Sequence, residues 1–340
     1  TALLDPAMTV ERVDALVLSG GSAFGLDAAG GVQAGLRAAG RGFTVGPARV
    51  PIVPQAILMD LLSGGDKDWG LHSPYRDLGH AAFVAARPGV FALGSVGAGT
   101  DATTATVKGG LGSASAVTAA GHTVAALVAV NALGSPLVGD GPQFWAAPFE
   151  EGDEFGGRGL PCRFTAADLA LTVKGIRLTA TTIGVVVTDA ALSKAQAHRL
   201  AIAGHDGLAR AVLPAHLDAD GDTVFAAASG DKPLDGHGDF LDLCLAATKV
   251  FARAMARGVF EATALPQPGA QPAWRDRFGQ RWDCRGTDRH SVHQHAGPAL
   301  FRRTGPHWFD AAGRRQSRRG ADGGEPGHRE PGRLLRGGAV

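Results

Sequence analysis

The sequence predicts a layered α+β chain rather than a doubly wound parallel sheet. Three observations carry this expectation. Short apolar runs with polar or glycine punctuation recur in both halves, at 13–18, 122–130, 181–190 and 223–226, and each has the length of a strand. Two longer stretches, from Ser193 to Val212 and from Phe240 to Leu265, repeat apolar residues at helical spacing. Strands and helices mix in both halves without a regular parallel βαβ series.

In chain order, Val13 to Leu18 reads as a buried strand that stops at Ser19-Gly20-Gly21-Ser22-Ala23-Phe24-Gly25. A helix follows, with Leu26, Ala29, Val32 and Leu36 along one face. The glycines between strand and helix form either a tight turn or a row of backbone N–H groups for an anion or a developing oxyanion. Their spacing does not fit a dinucleotide fingerprint. Gly46-Pro47 through Pro54 is punctuated by proline and cannot lie in a central strand. Next come Gly94-Ser95-Val96-Gly97-Ala98-Gly99-Thr100 and Lys108-Gly109-Gly110-Leu111-Gly112-Ser113. Lys108, one of six lysines, is either a solvated surface group or a fixed positive charge beside a backbone-lined pocket.

The run from His122 to Val130 reads as a strand closed by Asn131, which is either a turn former or an amide donor of the oxyanion-hole kind. Positions 139–168 read as a long, exposed loop rich in glycine, proline and charge, an approach that suits a processing site. The strand from 181 to 190 comes next. Ser193 and Gln196 have capping-box spacing, so a helix starts there, continues its face through Leu200, Ala203, Leu208, Ala211 and Val212, and stops before Pro214. A hairpin-like polar turn, Asp218-Ala219-Asp220-Gly221-Asp222, leads into the strand Thr223 to Ala226. Leu243, Ala247, Val250, Ala254 and Val259 share one side of the last helix.

The 340 residues suffice for one large domain or two ordinary ones, and an apolar share of 45% can build a sizeable core. A net charge of +1 gives no reason to expect nucleic acid or an anionic membrane as partner. Cys162, Cys244 and Cys284 are few and widely spaced, which favours a reducing compartment over a disulfide framework. No apolar run approaches the roughly 18 residues of a membrane span, and no signal peptide is visible, so a cytoplasmic location is expected. The chain starts at Thr1 and enters a strand-like run almost at once, as a fragment would. Positions 281–340 hold twelve arginines and no lysine with little apolar periodicity, so residues 280–340 are expected to be a disordered Arg-rich extension.

The segment most suggestive of chemistry is Ala180-Thr181-Thr182-Ile183, where two hydroxyls head an apolar, β-branched run that ends in Thr188-Asp189-Ala190. Cleavage between Ala180 and Thr181 would place an α-amine beside the Thr181 hydroxyl, joining nucleophile and base on one residue. Asp220 and Asp222, two apart, face one side of an extended segment. They are a solvated turn, a weak metal site without further ligands at suitable spacing, or a pair that orients and charge-stabilises an ammonium group. No Gly-x-Ser-x-Gly elbow or Ser/His/Asp set is present, which argues against conventional serine-hydrolase chemistry.

Taken in order, these segments resemble the DmpA-type aminopeptidases, the L-aminopeptidase/D-esterase family that includes β-peptidyl aminopeptidases and nylon-oligomer hydrolases. The matching elements are Leu16 to Leu26, Val96-Gly97-Ala98-Gly99-Thr100, Lys108-Gly109-Gly110-Leu111-Gly112, Val130-Asn131, Thr181-Thr182-Ile183 with Thr188-Asp189-Ala190, and Asp220-Gly221-Asp222-Thr223, over residues 4 to 279. The resemblance implies a four-layer αββα sandwich, with the family's N-terminal strands missing before Thr1. It implies a precursor that cuts itself into α and β subunits, here 1–180 and 181–279 of one domain, with Thr181 as nucleophile. Asn131 matches an oxyanion-holding asparagine, Lys108 a catalytic lysine of the nylon-oligomer-hydrolase branch, and Asp220 and Asp222 the acid-bearing pair near the nucleophile. Gly20, Gly21 and Ser22 fall at the substrate pocket, and Met59 stands where some members carry a pocket tyrosine. Two departures stand out: Ala180 replaces the frequent Asn or Gly before the nucleophile, and Asp101 replaces a glycine.

The expected activity is that of an aminopeptidase on small peptides or amino-acid amides and esters, without metal or organic cofactor, in a homo-oligomer of processed units. The rival readings are an acyltransferase resembling ornithine acetyltransferase, and an unprocessed inactive homologue.

Overall fold

The computed structural model describes residues 1–175 and 180–279, and the backbone of 336–339. Its centre is a five-stranded sheet of β5 (Gly110–Val117), β6 (Thr123–Val130), β7 (Ile183–Ala190), β8 (Thr223–Lys232) and β9 (Arg336–Ala339), in that order. Strands β5, β6 and β7 run antiparallel in turn, β8 lies parallel to β7, and β9 returns antiparallel. Period-two alternation sorts each strand between two cores. Val124, Ala126, Val128, Val186, Val224 and Ala226 enter one, whereas Ala129, Ile183, Val185 and Phe225 enter the other.

Two helices cover the first face, α3 (Lys194–Ala211) and α4 (His237–Phe260). Helix α3 opens with the complete capping box: Ser193 accepts the Gln196 N–H and the Gln196 side chain accepts the Ser193 N–H. Because β8 is parallel to β7, the Asp218–Asp222 turn is the end of a crossover through α3 and not a hairpin. Helix α4 lies almost in backbone contact with β5. A Cβ on Gly112 would stand 1.8 Å from the Ala254 carbonyl oxygen, so no larger residue fits between strand and helix.

The second face is covered by a small parallel sheet of β1 (Val17–Ser19) and β4 (Gln55–Ile57), whose Ala56, Leu18 and neighbouring Leu58 join the second core. Outside it pack α1 (Ala28–Ala38) and α2 (Tyr75–Ala85). Gln55 ties the layers, accepting the Ala29 N–H and donating to the Gly25 carbonyl. The order is helices, small sheet, large sheet, helices, the expected αββα arrangement. An exposed hairpin of β2 (Phe43–Val45) and β3 (Ala48–Val50) and a short α5 (Trp274–Phe278) complete the described elements.

Several details differ from expectation. Strand β1 starts at Val17 rather than Val13, because Asp14 turns to accept the Ile52 N–H. Leu26 lies exposed in the 3-10 turn Ser22–Asp27, so α1 begins two residues later. The stretch 139–168 is pinned rather than fully exposed, since Phe144 and Phe155 are buried, Phe144 meeting Phe155 edge-on and stacking on Trp274. Of the Arg-rich extension, residues 280–335 and 340 lie outside the described residues.

Candidate active site

One end of the large sheet gathers residues that are far apart in the chain. The start of β5, the end of β6 and the starts of β7 and β8 meet there, as the pairs Gly110–Val130, Ala129–Ile183 and Ile183–Thr223 show. Lys108, Asn131, Thr181 and Asp222 each stand one or two residues beyond those strand ends. Sheet register alone therefore places four of the sequence-derived candidates side by side.

The Thr181 N–H donates to the Asn131 carbonyl at 3.1 Å, and the Thr181 hydroxyl donates to the Ala180 carbonyl at 2.5 Å. That same Ala180 carbonyl accepts the Gly221 N–H at 3.2 Å. A backbone donor from the acid-bearing turn thus sits on the bond that leads into Thr181. Gly221 has a positional reason to lack a side chain: a Cβ there would lie 3.1 Å from Thr181 Oγ1. Next in line, Asp222 Oδ1 accepts the Thr182 N–H at 2.8 Å, while Oδ2 lies 3.0 Å from His216 Nδ1.

Asn131 is almost fully buried and its amide is well used. Oδ1 accepts the Thr103 N–H at 3.0 Å and Lys174 Nζ at 2.7 Å, and Nδ2 donates to the Met59 carbonyl at 2.9 Å. The amide group has a second N–H hydrogen beyond the one given to Met59. Lys174 Nζ also donates to the Asn131 carbonyl at 3.1 Å. Burial pulls the Lys174 amine down to about 7, against the opposing charge of Asp220.

Burial, then the negative charge of Asp222, pushes the Asp220 carboxyl up to about 7. Lys108 is wholly buried and donates to the carbonyls of Gly99, Ala102 and Gly109 at 3.0, 2.6 and 2.9 Å. Its amine falls to about 8 through burial, opposed by Asp101 and Asp60. Lys108 is therefore the buried fixed charge of the two alternatives, and its described hydrogen bonds fasten loop backbone.

From the small sheet, Asp60 Oδ1 accepts the Gly21 N–H at 2.7 Å, and burial raises its carboxyl. Gly21 has φ 89, and a Cβ there would run into the Tyr75 ring, so the Gly20-Gly21 turn must be bare to pass Asp60 and Tyr75. Burial and the charges of Asp60 and Asp101 push the Tyr75 hydroxyl up to about 12. Trp69 packs edge-on to both Tyr75 and Phe24.

The structure thus joins Thr181, Ala180, Asn131 and Gly221 by direct hydrogen bonds, with Asp222 attached through the Thr182 N–H and Met59 through its carbonyl. Gly20, Gly21 and Ser22 approach through Asp60, and Ser22 N–H donates to the Leu58 carbonyl. Lys174, His216, Asp60 and Tyr75 were not singled out from the sequence. Lys174 had one readable signal, as another of the six lysines, seven positions ahead of Thr181. Among the described residues no group of three or more His, Cys, Asp or Glu could hold a metal ion. No helix among them is long and apolar enough to cross a membrane.

The family model described as Peptidase family S58 matches residues 1–271 of this sequence. An uncharacterized aminopeptidase of Mycobacterium tuberculosis is 42% identical over 289 residues, covering 82% of each chain. An uncharacterized aminopeptidase of Mycobacterium leprae is 43% identical over 238 residues, covering 68% of this chain and 64% of the relative. Among solved structures, a Burkholderia sp. beta-aminopeptidase aligns with TM-score 0.46 at 23% identity, over 74% of this chain and 69% of its own. The l-aminopeptidase d-ala-esterase/amidase of Ochrobactrum anthropi aligns with TM-score 0.48 at 18% identity, over the same shares.

Proposed function

This chain belongs to Peptidase family S58, and we propose that it is a self-processing aminopeptidase whose nucleophile is Thr181. The observation that carries the reading is the set of contacts on one peptide bond. The Ala180 carbonyl holds both the Thr181 hydroxyl and the Gly221 N–H, while the Thr181 nitrogen rests on the Asn131 carbonyl.

In processing, Thr181 Oγ1 attacks the Ala180 carbonyl carbon. The oxygen that becomes negative already accepts the Gly221 N–H, and such a preset donor stabilises the tetrahedral state. The proton given up by Oγ1 passes to the Thr181 nitrogen, the C–N bond breaks to free the amine, and an ester joins Ala180 to Thr181 Oγ1. Water hydrolyses that ester, releasing the Ala180 carboxylate and restoring the hydroxyl.

In turnover the freed Thr181 amine, with an ordinary pKa of about 7.7–8.0, takes the proton from its own hydroxyl as the latter attacks a substrate carbonyl. Asn131 supplies an oxyanion donor, and Lys174 orients Asn131. The Asp220–Asp222 turn holds the charge of the new amine. Lys108 serves by fixing the loops that carry the site. The substrate class is a small peptide or amino-acid amide or ester, entering past the Gly20-Gly21-Ser22 turn and Met59, and no metal or organic cofactor takes part.

Segments 1–180 and 181–279 become two subunits of one domain. Strands β6 and β7 pair across the cut from Val124–Thr188 to Ala129–Ile183, which keeps the halves together. Homo-oligomerisation of such processed units and a cytoplasmic location belong to the same proposal.

Intact-mass measurement tests it. The purified chain should resolve into two species split at Thr181, and Thr181→Ala should stay whole at 34.7 kDa and hydrolyse no amino-acid anilide. A wild-type chain that remains whole and inactive sinks the proposal. Acetyl transfer from acetylornithine without anilide hydrolysis would replace it with the acyltransferase reading.

A further inference from the structure

We propose that His216 is a positioning residue for the Thr181 site: as an imidazolium it anchors Asp222 and sets the charge of the Asp220–Asp222 pair. The inference rests on Thr181 being the nucleophile.

The geometry begins with Asp222, whose side chain is only 2% exposed. Its Oδ1 is occupied by the Thr182 N–H, leaving Oδ2 as the oxygen in need of a partner. A buried carboxylate with one backbone donor is costly unless a cation completes it. His216 Nδ1, at 3.0 Å from Oδ2, is that partner. The imidazole is 35% exposed and meets solvent, while the Asp222 side chain it touches is buried.

The backbone adds a second observation. His216 has φ 57, one of two non-glycine residues with positive φ among the described residues. For histidine such a conformation is uncommon and carries strain, which persists where surrounding structure demands it. Here it belongs to the residue that brings the ring onto Asp222.

Among the described residues, the ring meets titratable groups from its own loop and from α3. Asp222 and Asp220 face it from its own loop, and His205 of α3 lies against it, with ring centroids 4.9 Å apart. His216 Nε2 is 3.5 Å from the His205 carbonyl oxygen. Lys174 faces Asp220 from the segment before Thr181, and Lys108 and Asp60 act on Lys174 in turn. The Asp222 carboxylate 3.0 Å away outweighs burial and raises the His216 pKa, so the cationic form is the one favoured there.

Removing a cation from beside two carboxyls raises their affinity for protons. The pair then titrates at higher pH, and the acid limb of any reaction that needs it ionised moves the same way.

The variants follow from the backbone. Asparagine tolerates positive φ and can still donate to Asp222, but cannot titrate; glycine adopts that φ without strain and removes the group. In the uncleavable Thr181→Ala chain, the side-chain carbon signals of Asp220 and Asp222 are titrated by NMR with and without His216→Asn. The midpoint should rise by about one pH unit, equivalent to about tenfold in proton affinity. In the processed form of the chain that retains Thr181, His216→Asn and His216→Gly should each slow anilide hydrolysis about tenfold at a pH below the pair's midpoint. Most of the rate should return above it.

An unmoved midpoint overturns the proposal. So does a rate loss equal at every pH, the signature of a purely structural role, or full wild-type behaviour in His216→Gly. A shifted midpoint in a protein that never cleaves supports the coupling and overturns the nucleophile reading alone.

Discussion

Lys174 links two parts of the site that the sequence leaves apart, the Asn131 amide and the Asp220 carboxyl. It donates to both oxygens of Asn131 and opposes the charge of Asp220. Lys174→Met should therefore leave Asn131 unoriented and slow anilide hydrolysis by the cut chain about 100-fold, as loss of an oxyanion donor does. A chromogenic anilide assay on the cut chain checks this, and an unchanged rate would remove Lys174 from the mechanism. Thr181, Asn131, Asp220 and Asp222 were legible because each is a polar residue where an apolar run starts or stops. Lys174 was not, because it lies in a loop without periodicity and its depressed basicity comes from burial that only tertiary structure creates. His216 was hidden similarly: nothing local announces a ring turned back onto an acid six residues ahead.

Elements were easier to read than residues where patterns are long. Helix α3 starts at its capping box and β6 fills its apolar run up to Asn131, because both are governed by local spacing. The 218–222 turn reads as hairpin-like, since a polar Asp-Gly turn looks the same at the end of a crossover. Strand β5 and helix α4 show what composition only hinted at: several of the 50 glycines are spacers between layers. Gly112→Ala would push a methyl into the Ala254 carbonyl and the Gly258 N–H, and backbone cannot yield as a side chain does. The expected cost is about 1–3 kcal/mol. At about 2–4 °C per kcal/mol for a domain near this size, calorimetry should record a clear fall in Tm. A Tm within one degree of wild type, about the scatter of such a measurement, would mean β5 and α4 do not touch as described.

For the whole molecule, the buried charges predict an unusual dependence of stability on pH. The Asp220 carboxyl titrates near 7 when folded and at its ordinary 3.8 when unfolded, so the folded chain holds this proton more tightly. The contribution is fully present below the unfolded value and is lost as pH rises through about 7. Lys174 and Lys108 act oppositely. Their folded values near 7 and 8 lie below the ordinary 10.5, so the unfolded chain binds more protons between those limits and stability climbs with pH. Together these three groups place a shallow minimum near neutrality. In the Thr181→Ala background, the difference in Tm between Asp220→Asn and its parent should shift in favour of the asparagine variant from pH 4 to pH 8 (roughly the span of the two carboxyl values). A constant difference would contradict the burial of Asp220. The layered class was legible from element order, but this behaviour was not, because the charges that interact are set by which strand ends adjoin.

The β6–β7 pairing also bears on how the protein can be rebuilt once lost. While the chain is continuous, those strands are tethered, and their meeting is a first-order event. After scission at Thr181 the same ladder joins separate molecules, so its formation depends on concentration. The strands would then lack the effective concentration that a covalent tether supplies. Refolding yield after denaturation should thus be independent of dilution for Thr181→Ala and should fall on dilution for the processed form, as recovered secondary structure would measure. Maturation would leave the native contacts in place while removing the easy road back to them, trading reversibility for a working amine.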